Sequence, residues 1–164
     1  MRMGFSGYLI VGRDDRPLPE LHSLKQHRQC VTGNRPRADN WQVCSLGPDA
    51  GLGDSISLLI EVAAETFEPV LLASFTVGED GAAVEGFSGP YGYWWTRLTR
   101  ASCAGDVAGR AVQWATAAGR EVEAGPIADL LAARSAPHLE AVFEELLERL
   151  GLAGTGDTSP GEIG

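Results

Sequence analysis

The stretch that decides the fold is residues 70–87, VLLASFTVGEDGAAVEGF. From Val70 to Val77 the side chains alternate, with Leu71, Ala73, Phe75 and Val77 on one face against Ser74 and Thr76 on the other. That is the period of a strand with one face buried. Gly78-Glu79-Asp80-Gly81 supplies the glycines and short polar side chains of a hairpin turn, and Ala82 to Phe87 returns as an antiparallel partner.

Working outward, Ser88-Gly89-Pro90 leads into Tyr91-Gly92-Tyr93-Trp94-Trp95-Thr96-Arg97-Leu98, whose aromatic content reads as a further strand or an extended edge segment. Upstream, Phe5 to Val11 and Trp41 to Leu46 are strand candidates, and Thr32 to Arg37 has turn chemistry. A short helix is expected within Glu20 to Cys30, with Leu21 and Leu24 inward. Between Gly53 and Pro69 the spacing predicts another helix, capped by Asp54 or Ser55 and stopped by Pro69. Ile56, Leu59, Ile60, Ala63 and Phe67 form its expected inward stripe, Glu61, Glu65 and Glu68 its solvated face, and Leu58 falls on the glutamate side.

Beyond Cys103 the pattern is helical throughout. Asp106 caps a run with Val107, Ala111, Trp114, Ala115 and Ala118 on one face. Pro126 opens a short helix, and Ser135 caps a last one that buries Leu139, Val142, Phe143, Leu146, Leu147 and Leu150, with Glu140, Glu144 and Glu148 in water. The expected class is α+β: a mainly antiparallel sheet of about five strands, one helix between strands 2 and 3, and a C-terminal layer of about three helices. Residues 1–151 read as one domain and 152–164 as a flexible acidic tail of Gly, Ser, Thr and Pro.

The formal charge of −9 is unevenly spread, +3 over residues 1–40 and −12 over the rest. An acidic body repels phosphate backbones and anionic membrane surfaces, which argues against general nucleic-acid or membrane binding. Three cysteines, Cys30, Cys44 and Cys103, with no apparent secretory leader, point to free thiols and a cytoplasmic location. Lys25, Arg28, Arg35 and Arg37, with His22 and His27, are the one basic concentration. It can meet an acidic partner or fold back on the acidic helices of its own chain, the second being the simpler account.

Motifs that would carry chemistry are weak. Gly51-Leu52-Gly53 sits between a strand and a helix, but Ile56 replaces the third glycine of a dinucleotide fingerprint and Asp49 and Asp54 repel an anion, so a plain connection explains it. His22, His27 and Cys30 lack a metal-ligand spacing, and neither a metal nor a cofactor is expected. Cys103 before a helix and the distant His138 are the only candidate catalytic groups, and a buried inert thiol is the better account of Cys103.

Four of the five residues from Tyr91 to Trp95 are aromatic. Alternation sets Trp94 opposite Tyr93 and Trp95, and a sheet covered by helices on a single side cannot bury both faces. Tyr91, Tyr93, Trp94 and Trp95 are therefore the candidate binding residues, aromatic rings being enriched in interface anchors and ligand pockets. In size, acidity and class the chain resembles toxin-neutralising immunity proteins, with no motif residue to carry across. The expectation is a non-catalytic protein-binding module whose partner is a protein of basic character. The alternative is a small enzyme or a protein binding a small apolar ligand in an aromatic-lined pocket.

Overall fold

The computed structural model describes residues 7–50, 52, 54–75, 82–99, 101–133 and 139–152. Within them the α+β class holds. Six strands form one antiparallel sheet: β1 (Gly7–Arg13), β2 (Val31–Pro36), β3 (Trp41–Leu46), β4 (Val70–Phe75), β5 (Ala82–Ser88) and β6 (Gly92–Arg97), in the order β2-β3-β1-β4-β5-β6. The hairpin expected over residues 70–87 is present as β4 against β5, with Val70 opposite Phe87 and Phe75 opposite Ala82. Its turn, Gly78 to Gly81, lies outside the described residues, as do Thr76 and Val77.

The sixth strand is β2, where turn chemistry was expected. Thr32-Gly33-Asn34-Arg35-Pro36 is poor strand material by composition, but as an outer strand with a register shift between Val31 and Gly33 it needs only one paired edge. The first strand is described from Gly7 and runs on past Val11 to Arg13, and Phe5 and Ser6 lie outside the described residues.

Helices cover both faces, not one. α2 (Ala104–Ala117), α3 (Ala124–Ala132) and α4 (Leu139–Arg149) pack over Leu9, Val11, Val43, Leu71, Ala73, Phe75, Val84 and Trp94. On the other face α1 (Ser55–Thr66) and a nine-residue 3-10 segment, His22–Cys30, lie over Ile10, Cys44, Leu46, Val70 and Leu72. This explains why GYLIVGR and VLLASF carry apolar residues at successive positions, as strands buried on both faces do. At the centre of the first layer Trp114 is fully buried, its ring 5.8 Å from that of Trp41, and its Nε1–H donates to the Val70 carbonyl at 3.1 Å.

Helix α1 is rotated from the expected stripe. Asp54 caps it through the Ser57 amide, but its buried arc is Leu58, Leu59, Val62, Ala63 and Thr66, leaving Ile56 and Ile60 exposed. Leu58 is thus core, and Glu65 is not a solvated carboxylate. It accepts from the His22 and Ser23 amides, each at 2.8 Å, from the Ser23 hydroxyl at 2.6 Å, and from Arg16 at 3.2 Å. Burial alone would raise its pKa, but the Ser23 and His22 hydrogen bonds and the charge of Arg16 outweigh it and hold the carboxyl at about 2. The carboxylate ties the 3-10 segment to α1.

Two further differences lie near the C-terminus. Leu152, placed in the tail by its sequence, is buried, and its carbonyl accepts from Arg37 Nε at 2.8 Å. Arg35 and Arg37 both reach Glu144 of α4, at 3.2 and 2.8 Å, so part of the basic concentration turns back on its own chain. Ser135, the expected cap of α4, and residues 153–164 lie outside the described residues.

Candidate functional site

The β5–β6 hairpin presents the aromatic cluster. Gly89-Pro90-Tyr91 closes it, the Tyr91 amide donates to Ser88 Oγ at 3.2 Å, and Gly92 at φ +84° makes the turn back into β6, a conformation that disfavours a side chain. Alternation then separates the rings. Trp94 points to the α2 side and is 6% exposed, whereas Trp95, one residue on, is 57% exposed on the α1 side of the sheet's outer strand.

Trp94 is seated by an absence of side chain. A Cβ built on its cross-strand partner Gly86 would fall 2.5 Å from both Cε2 and Nε1, so the indole lies flat on the glycine. Its Nε1–H has no acceptor among the described residues. Tyr93, half-buried on the opposite face, donates its hydroxyl to Glu85 at 2.9 Å, and Ser55 at the start of α1 donates to the same carboxylate oxygen at 2.8 Å. Burial, then this hydrogen bond, then the charge of Glu85 push the Tyr93 hydroxyl up to about 12. Of the four expected residues, Tyr93 and Trp95 thus share one face, Tyr91 stands 42% exposed at the turn, and Trp94 belongs to the core.

Sequence reasoning missed the neighbouring wall. The exposed side of α1 carries Ile56 and Ile60, each 43% exposed, and the residue after its last turn, Phe67, is 90% exposed. Ile60, Ala64, Phe67 and Pro69 line an open apolar groove of about 500 Å³ with Phe87 and Pro90 of the hairpin; Glu68 is its one charged lining residue. A signal was available, since α1 holds seven apolar residues in its twelve (Ile56, Leu58, Leu59, Ile60, Val62, Ala63, Ala64), more than one buried stripe absorbs.

Of the two reactive candidates only Cys103 is among the described residues. Cys103 is exposed at the N-cap of α2, and His138 lies outside the described residues. Cys44 is buried in β3, where burial pushes its thiol up to about 11, and Cys30 is half-buried. Among the described residues no group of three His, Cys, Asp or Glu side chains is placed to hold a metal, and no helix is long and apolar enough to cross a membrane. Gly51 and Gly53 of the glycine-rich connection are outside the described residues. Comparison of the chain with protein-family models, with curated proteins and with solved structures found no match.

Proposed function

We propose that this protein is a non-catalytic binding module that recognises another protein through Trp95, Tyr91 and the apolar groove between α1 and the β5–β6 hairpin. The observation that carries the reading is Phe67. It occupies the left-handed position that closes α1, at φ +62°, where glycine or asparagine is favoured and a bulky side chain is strained. Its ring is almost wholly in water, so folding gains neither conformational ease nor burial from a phenylalanine there. An aromatic residue that the fold does not use, sharing a groove with the exposed Ile60, together with the exposed Tyr91 and Trp95 of the β5–β6 hairpin, has the composition of interface anchors.

The test is capture from an extract of the source cells by the immobilised full chain, compared with a Phe67→Asn/Trp95→Ser double variant. Both substitutions lie at exposed positions, and the variant's thermal melting reports that it is folded. The expected outcome is a protein retained by the native chain and released by the variant. Equal retention by both, or retention of no protein by either, overturns the proposal.

A further inference from the structure

The sheet has two edges, and they are guarded unequally. At one end β2 holds Gly33 and Pro36 within its six residues, and its register against β3 shifts between Val31 and Gly33. Proline and irregular pairing are features that stop a further strand from adding to an edge. At the other end β6 pairs residue for residue with β5 from Gly92 to Arg97, with no proline and no shift, and among the described residues no strand pairs with its outer side.

The direction of the main-chain groups of β6 follows from one hydrogen bond. The Leu98 amide donates to the Ala82 carbonyl at 2.7 Å. Bonded residues alternate in an antiparallel pair, so Thr96 and Trp94 also bond to β5, and Tyr93, Trp95 and Arg97 direct N–H and C=O away from it. The Tyr93 carbonyl agrees, since it accepts from Arg110 Nη2 at 2.8 Å, and the Arg97 carbonyl accepts from the Thr96 hydroxyl at 2.9 Å. Each of these oxygens keeps a second lone pair, and between them Trp95 presents both an N–H and a C=O. Room is present as well. An open hollow of about 580 Å³ touches Tyr93, Trp94 and Trp95 together with Asp106, Val107 and Arg110 of α2. Trp94 faces one side of the sheet and its neighbours the other, so a hollow that touches all three runs along the strand's open side.

We infer that β6 takes an extended segment of the partner protein as an added strand, bonded to the main chain of Trp95 and flanked by the Trp95 ring on one face and by Val107 on the other. The inference rests on the recognition reading above and names how the partner is held. Main-chain bonds supply the attachment and alternate side chains the selection, a β-branched or aromatic residue suiting the place beside Trp95. A second copy would bring another −9 to the same edge, so the occupant favoured is a neutral or basic segment of a different protein.

The probe is a short synthetic peptide of alternating Val and Thr with a Lys at each end. Its control is the same peptide N-methylated at every Val and Thr, which keeps the side chains and charge but has no main-chain donor there. Amide hydrogen exchange in the full chain, followed by NMR, reads the site directly, because the Trp95 N–H points outward and the Trp94 N–H is already bonded to β5. The expected result is that the plain peptide binds below about 1 mM, at least about tenfold more tightly than the methylated one, and slows Trp95 exchange about tenfold with Trp94 unchanged. In Trp95→Pro, which lacks the outward N–H, binding is expected to be about tenfold weaker than in Trp95→Ser, thermal melting reporting that both are folded. No binding, equal binding of the two peptides, or Trp95 exchange unchanged in the complex overturns the inference; should the proline variant fail to fold, the two peptides alone decide. A Trp95 amide already protected in a chain that sediments as a dimer overturns it in favour of self-pairing. Each of these results leaves the recognition reading standing wherever native capture still depends on Phe67 and Trp95, so the two can fail separately.

Discussion

Trp94 and Trp95 are consecutive in the chain and opposite in fate. Trp94 enters the face that α2, α3 and α4 cover, and its indole is accommodated because Gly86 across the strand has no side chain. Trp95 enters a face that α1 and a 3-10 segment close only as far as β5, and its ring stands in water. Alternation along β6 is the same for both. What separates them is where the covering layer stops, which is a property of elements distant in sequence. Adjacent aromatic residues in a strand therefore carry no common role, and each is judged by the layer it faces.

The sharpest way to break the comparison is to disturb the closed face. In Gly86→Ala the new methyl falls on Cε2 and Nε1 of Trp94, and the indole must leave its seat on the glycine toward the hollow it lines with Asp106, Val107 and Arg110. Overpacking of this kind costs about 2 to 3 kcal/mol, expected as a lowered urea midpoint with an unchanged m-value. Loss of less than about 0.5 kcal/mol would show that the indole moves freely and that the Trp94 face is no more closed than that of Trp95.

A smaller effect is expected where the open face is anchored. Glu65→Ala removes the acceptor for two amides, the Ser23 hydroxyl and Arg16, and loosens the 3-10 segment from α1. The carboxylate is only partly shielded from water, so the cost is about 1 to 2 kcal/mol at neutral pH. The sign of its pH dependence follows from the depressed pKa. A carboxyl at about 2 in the folded chain, below its usual 4.5, adds stability that is present above the unfolded value and lost as pH falls toward 2. The gap between native and Glu65→Ala chains, measured by denaturant titration, is thus expected to be constant above about pH 5 and to close through acid. A gap independent of pH would mean that the substitution acts through packing alone.

The sheet was legible because its signals are local. Alternation in 70–77, the glycine-rich turn after it and the return from Ala82 lie within one stretch of chain. So was the opposition of Trp94 to its neighbours, which needs only the period of a strand. The extra strand β2 was not, because a glycine- and proline-containing outer strand owes its existence to β3 beside it rather than to its own composition. The rotation of α1 was hidden for a related reason. Three glutamates at helical spacing look like one solvated face, yet Glu65 answers to His22 and Ser23, more than forty residues away. Reading that helix by charge reversed which isoleucines face outward, and with them the wall of the candidate site.

The mildest prediction runs against the usual direction of a substitution and bears most directly on the open face. In Phe67→Asn the left-handed backbone at φ +62° is kept, and a residue that adopts it readily replaces one that does not. The ring lost was almost entirely solvated, so little burial is forfeited. Stability is therefore expected to stay level or to rise by up to about 1 kcal/mol, seen as a small increase in Tm. A loss of about 1 kcal/mol or more would show the ring packed on the groove in solution, and Phe67 would then belong to the closed part of the molecule. If instead the fold is indifferent to Phe67 or prefers its absence, while the partner's capture requires it, the residue's presence answers to recognition. The boundary between the two faces is then also the boundary between what the fold needs and what it offers.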